Sequence, residues 1–325
     1  MRIRRIILTC ALLLPSLSWA QVQFKESPGK VEVEIDGKPF TTLYYGGDAP
    51  KPYLHPLRAA SGTIVTRGYP MENIRGEQRD HPHHRGLWFT HGEVNGLDFW
   101  ANELSAGRPR GGLVEPLEVR TGPGGVISGT FLWKTPGGLP ILREERTMRF
   151  HPGAPNRMID FDVKFTALAE EVHFGDTKEG MFAIRLATPL EEPHARAEGV
   201  VRTGTITSAD GKTGEKNLWG KRSPWLDYSG AIEGEKLGVA ILDHPSNPKH
   251  PTYWHVRSYG LFAANIFGEH DFHRDPKRDG SVTLKSGEVL RFQYRVVIHP
   301  GDVKSADVAG LYQKYVSEQK SGPSE

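Results

Sequence analysis

Cysteine is almost absent from this 325-residue sequence: the one copy, Cys10, sits inside an apolar N-terminal run. Beyond residue 20, therefore, no disulfide, thiol nucleophile or cysteine–zinc site can form. A second long apolar run is also lacking, and nothing outside residues 6–14 approaches the roughly 20 apolar residues that span a bilayer. Charge of one sign is not in excess either, with 41 Lys and Arg against 39 Asp and Glu and no basic block, which argues against nucleic acid as a partner. The Gly-x-Ser-x-Gly elbow, the P-loop, the Rossmann glycine fingerprint and the His-Glu-x-x-His helix are all missing. Any catalysis rests on His, Glu, Asp, Lys, Arg and Tyr.

Glycine and proline are plentiful, 37 and 24 copies, about 19% of the chain against a usual ~12%. With no collagen-like period, that composition predicts many tight connections between short strands. Strict alternation in Lys30–Asp36 sets Val31, Val33 and Ile35 on one face, and Asp36-Gly37 supplies a hairpin turn before Phe40–Tyr45. Ile159, Phe161, Val163 and Phe165 alternate in the same way, as do Leu290, Phe292, Tyr294, Val296 and Ile298, the pattern of half-buried antiparallel strands. Shorter candidates are Gly125–Trp133, Glu144–Phe150, Gly180–Ala187, Leu237–Leu242 and Ser281–Leu284. Only the tail reads as helical: from Ser305 as N-cap, Val308, Leu311, Tyr312, Tyr315 and Val316 share a face. The expectation is an all-β fold, a large two-sheet antiparallel sandwich with a short C-terminal helix.

Arg2, Arg4 and Arg5 precede the apolar run Ile6–Leu14, and Ser18-Trp19-Ala20 offers a signal-peptidase site after Ala20. Residues 1–20 are expected to be a signal peptide and 21–325 a single sandwich domain, periplasmic or secreted, with no membrane association after cleavage. Taking those three arginines from 41 leaves 38 basic against 39 acidic groups.

The densest chemistry lies in Asp80-His-Pro-His-His-Arg-Gly-Leu-Trp-Phe-Thr-His91, which holds four of the fourteen histidines in eleven residues. In a strand-like segment His81 and His83 would project to one side and His84 to the other. Asp80 can hold an imidazole Nδ1 proton, and Arg85 offers a planar fork for a carboxylate or vicinal hydroxyls. Gly175-Asp-Thr-Lys-Glu-Gly180 adds Lys178 and Glu179, of which an extended backbone would turn only one toward a given cleft. Glu179 in a partly desolvated cleft can serve as general acid or base. His255 and Arg257 alternate in a third run that continues to Asn265, while Trp88, Tyr253 and Trp254 supply flat apolar faces.

Lys51-Pro-Tyr-Leu-His-Pro-Leu57, the stretch from Asp80 to Phe89, Val94-Asn-Gly-Leu-Asp-Phe-Trp100, Gly175–Gly180 and Trp254–Asn265 together resemble the bacterial family labelled methane oxygenase PmoA, a family of unknown function. Methane oxidation does not follow, because the monooxygenase subunit behind that label is an integral membrane protein. The resemblance implies an exported or cytosolic protein often associated with sugar catabolism and a β-rich fold similar to the galactose mutarotase supersandwich, and it carries over no catalytic residue.

The expected function is a carbohydrate-active enzyme, epimerase-, lyase- or hydrolase-like, acting on a small sugar or oligosaccharide. His81, His83, His84 and Glu179 are the candidate catalytic groups; Arg85, Trp88, Lys178, His255, Arg257 and Asn265 are the candidate substrate contacts. No cofactor is required by this reading. Two alternatives are a divalent metal held by the histidines and a non-catalytic carbohydrate-binding module.

Overall fold

The computed structural model describes residues 21–46, 49–103, 111–193 and 199–320. The signal-peptide expectation lies outside these residues. The strands in chain order are β1 (Val22–Ser27), β2 (Lys30–Ile35), β3 (Lys38–Tyr44), β4 (Tyr53–Leu54), β5 (Leu87–His91), β6 (Leu113–Gly122), β7 (Val126–Lys134), β8 (Pro140–His151) and β9 (Arg157–Ala167). Then come β10 (Glu171–Phe174), β11 (Gly180–Arg185), β12 (Thr205–Ser208), β13 (Trp225–Ile232), β14 (Glu235–Asp243), β15 (Tyr253–Val256), β16 (Leu261–Asn265), β17 (Val282–Lys285) and β18 (Val289–Pro300). Among the described residues, helices α1 (Glu215–Leu218), α2 (Glu269–His273) and α3 (Val308–Lys320) complete the inventory apart from one turn of 3-10 helix.

Two eight-stranded sheets result, in the order β1-β2-β3-β4-β5-β11-β16-β15 and β12-β13-β14-β18-β9-β8-β7-β6, with β10 and β17 as a separate ribbon. Their ladders are antiparallel. The two-sheet sandwich expected from the alternating segments is therefore the architecture observed. At the β2–β3 turn Asp36 and Gly37 both have positive φ, 55° and 71°, the conformation a two-residue hairpin demands and these residue types accept.

Alternation decides which side chains meet. Val31, Val33, Phe89 and Phe182 from the first sheet pack against Phe161, Phe165, Phe292 and Tyr294 from the second, all buried. Phe182 bridges them, with ring centroids 4.8 Å from Phe161 and 4.7 Å from Tyr294, the latter stacked. On the far face of the second sheet, α3 lays Val308, Tyr312 and Tyr315 over Trp225, Ala240, Leu242 and Val297, which is the apolar helical face read from sequence. Its cap differs from expectation. Ser305 belongs to the preceding turn, exchanging hydrogen bonds with Asp302, and Asp307 accepts the Gly310 amide at 3.1 Å. No helix among the described residues is long and apolar enough to cross a membrane.

Candidate active site: a histidine pocket on the first sheet

Residues of the first sheet that do not face the sandwich core build a platform. Phe89, Phe182, Phe262 and Trp254 belong to the core, so their neighbours Trp88, Ala183, Ala263 and His255 point the other way. Strand register aligns Trp88 with Ala183, Ala183 with Ala263, and Ala263 with His255, one row across four strands. Two alanines between two large rings leave a depression. Above it lies a cavity of about 330 Å³ lined by His81, His83, His84, Lys178, Glu179, His255 and Arg257, together with Asp98, Trp100, Ala101, Tyr259 and Leu261.

The histidine segment is a turn rather than a strand. His81 has φ 47°, and the His84 amide donates to the His81 carbonyl at 3.0 Å. This overturns the expected alternation: all three rings face one cavity. Tyr259, His81, His84 and Trp88 form a column of near-parallel rings with successive centroids 5.5, 4.7 and 5.3 Å apart. His83 stands edge-on to His84 at 4.5 Å.

Buried arginines hold this turn. Arg67 donates to Asp80 Oδ1 at 2.8 Å and to the His81 carbonyl at 2.9 Å. Arg185 reaches Asp80 at 3.4 Å and donates through Nη1 to His84 Nδ1 at 3.0 Å. Guanidinium only donates, so His84 Nδ1 is the acceptor and its proton sits on Nε2. His84 is 1% exposed. Burial, aided by Arg185 and the neighbouring histidines, holds its pKa well below the usual imidazole range. The Asp80 carboxylate does lie against an imidazole nitrogen, with His81 Nδ1 2.8 Å from Oδ2, but the geometry is out of line for the hydrogen bond that would hold its proton. Burial pushes the Asp80 carboxyl upward, and His81, Arg185 and Arg67 outweigh it, leaving the pKa far below the ordinary value.

Opposite stands His255. Its Nδ1 lies 2.7 Å from the Lys178 carbonyl. A carbonyl only accepts, so this ring carries its proton on Nδ1 and keeps a lone pair on Nε2. Burial lowers its pKa to about 4, opposed by Glu179. One cavity is thus lined by two neutral imidazoles with opposite tautomers.

The loop before β11 bends at Lys178 and Glu179, so both side chains line the cavity, paired at 3.1 Å, against the expectation that only one would. The loop is pinned from below. Asp176 accepts the His270 amide, Asp271 accepts the Lys178 amide at 2.9 Å, and His91 Nε2 donates to the Gly175 carbonyl at 2.8 Å. Gly92 is required where it stands, because a Cβ there would lie 2.8 Å from the Glu179 Cβ.

Three expected substrate contacts serve other purposes. Arg85 makes a bidentate pair with the buried Glu103 carboxylate, at 2.8 and 2.7 Å, instead of facing the cavity. Trp88 is 1% exposed and supports His84 from beneath. Asn265 is fully buried and donates to the Thr177 and Lys178 carbonyls at 2.9 and 3.0 Å, positioning the loop. Arg257 does line the cavity and also pairs with Glu215 at 3.1 Å. Tyr253 and Trp254 are both core residues. Sequence reasoning did not nominate Tyr259, Asp98 or Trp100; Tyr259 falls two residues beyond Arg257, continuing the His255–Arg257 spacing. For the metal alternative, no group of three or more His, Asp or Glu among the described residues is arranged to hold an ion.

A family model described as a family of unknown function, DUF6807, matches residues 30–313. The chain belongs to this family. Membership in DUF6807 corrects the resemblance read from the motifs, since the matching family is a different one and nothing points to a PmoA-like methane oxygenase. No curated protein matches the sequence. Among solved structures, a polysaccharide lyase aligns over 89% of this chain and 34% of its own, at 15% identity and TM-score 0.34. A GH36 α-galactosidase from Geobacillus stearothermophilus aligns over 87% and 41%, at 10% identity and TM-score 0.38. A galactose mutarotase related enzyme from Lactobacillus acidophilus aligns over 86% and 97%, at 11% identity and TM-score 0.31. The chain spans only about a third to two-fifths of the length of the first two.

Proposed function

We propose that this DUF6807 protein is an exported carbohydrate-active enzyme whose histidine pocket performs acid–base chemistry on a small sugar or oligosaccharide. The observation that carries this reading is the pair of opposite tautomers on one cavity. The Nε2 lone pair of His255 takes a proton from a substrate C–H or O–H bond, and Nε2–H of neutral His84 donates a hydrogen bond to the ring or leaving oxygen as negative charge develops there. Proton count is conserved in each turnover: the imidazolium formed on His255 gives its proton to the product or to water, and His84 stays neutral. Lys178 and Arg257 balance the negative charge that develops on oxygen between the two transfers. Glu179, beside Lys178, stabilises the imidazolium formed on His255. Export rests on the leader sequence alone.

An epimerase-like or lyase-like outcome follows from where the proton is taken, which the substrate decides. The test is product analysis by NMR with neutral sugars, uronic acids and short oligosaccharides, run on the intact chain and on His255→Gln. A new anomeric, epimeric or unsaturated signal is expected with the intact chain, slowed about 10²–10⁴-fold in the variant at unchanged Tm. Absence of any product and of any sugar binding across the panel overturns the proposal.

A further inference from the structure

A second cavity, about 360 Å³, opens at the edge of the sandwich, where β15 meets β12 and β13. Trp254 lines it while its neighbour His255 lines the histidine pocket, so the two cavities lie on opposite faces of one edge strand. Among the described residues its wall carries Lys212, Lys216, Lys221 and Arg222 against a single carboxylate, Asp210. Such a concentration is not a reflection of the chain at large, whose charges nearly cancel.

Local structure explains the segregation. Residues 212–222 contain four cations and one acid, Glu215. Glu215 turns away: its carboxylate pairs with Arg257 at 3.1 Å and accepts the Ser258 amide at 2.6 Å, on the histidine-pocket side. The next residues of α1, Lys216 and Asn217, face the edge cavity. Lys212 is paired with Asp210 at 2.7 Å, and Arg222 spends Nε and one terminal nitrogen on the Pro251 and Lys249 carbonyls. Lys216 and Lys221 have no side-chain partner among the described residues and are exposed. Leu218, Leu226 and Trp254 form an apolar floor beneath them.

We propose that this edge cavity is an oxyanion-binding site that takes a phosphate, sulfate or carboxylate group between Lys216 and Lys221. Compact ammonium groups on flexible stems suit a point anion, and both of these line the one cavity. The proposal is independent of the acid–base reading of the histidine pocket, and either can fail alone.

The intact chain is titrated calorimetrically with sodium phosphate, sodium sulfate and sodium acetate at constant ionic strength. Saturable one-site binding of at least one anion is expected, and the preferred anion identifies the natural group. The double variant Lys216→Gln/Lys221→Gln should weaken it about tenfold at unchanged Tm, and Asp210→Asn should tighten it. Lys164→Gln, a surface change on the second sheet, should leave it unchanged. Failure of all three anions to saturate, or equal affinity in the double variant, or equal loss in Lys164→Gln, overturns the assignment.

Discussion

The two sheets of this sandwich are made by different rules. In the second, β8, β9 and β18 run for 12, 11 and 12 residues in unbroken register or nearly so, and their backbone groups satisfy one another along the ladder. In the first, the longest strand among the described residues has seven residues, and residues 55–86, 92–103 and 175–179 interrupt the strands that bear the pocket. The loops have only scattered backbone pairs of their own, and side chains add to these in holding them: Arg67, Arg185, His91, Asn265 and Asp271 each satisfy a loop carbonyl, amide or neighbouring ring. The regular sheet spends its polar groups on itself; the irregular sheet uses side chains as scaffolding and keeps some pointed at a cavity.

The strongest way to expose this division is to damage the regular sheet. Phe165 is wholly buried and packs against Phe89, Trp133, Phe174 and Phe292. Phe165→Ala should cost about 3–5 kcal/mol in urea unfolding while sugar binding by the remaining folded protein is retained. Loss of binding at full folding would mean that the pocket depends on the far sheet's packing.

Asn265→Ala acts within the irregular sheet. Releasing the Thr177 and Lys178 carbonyls should cost about 1–3 kcal/mol, lower kcat more than KM, and move the acid limb of the pH–rate profile up from about 4, because water then reaches His255. An unchanged profile with lowered stability would reduce Asn265 to a structural residue.

The smallest effect distinguishes the sheets by acid response. Burial holds His91 and His255 to about 4 in the folded chain against an ordinary 6.5. The unfolded chain therefore binds protons that the folded chain refuses as pH falls from about 6.5 toward 4, and stability declines across that window. In the second sheet, burial raises the Asp160 pKa but Arg295 and His151 more than reverse it, so its contribution persists above the ordinary 3.8 and is lost only below. Urea midpoints measured between pH 7 and 4 should fall steadily, and His255→Gln should flatten the slope by about one proton. A midpoint constant down to pH 4 would contradict the neutral assignment of these rings.

The same division governs what the sequence made legible. Lys30–Asp36, Ile159–Phe165 and Leu290–Ile298 alternate because one face meets the core, so strands and fold class could be read directly. The histidine cluster was visible as density of type, yet its direction was not, because the left-handed backbone at His81 and the His84-to-His81 hydrogen bond turn three rings to one side. Arg85, Trp88 and Asn265 looked like ligand contacts because side-chain chemistry alone cannot distinguish a group that meets a ligand from one that meets Glu103, a stacked imidazole or a loop carbonyl.

The carbonyl of Lys178 receives hydrogen bonds from both His255 and Asn265. It also belongs to the residue whose side chain reaches into the cavity. Seating of the loop and the location of one proton are consequently a single variable. With the carbonyl seated here, the proton is held on Nδ1 and the lone pair is left on Nε2; a carbonyl drawn away from the ring would no longer fix that choice. A ligand that draws Lys178 toward itself would thereby decide, by mechanical means, whether the imidazole across from it accepts or gives.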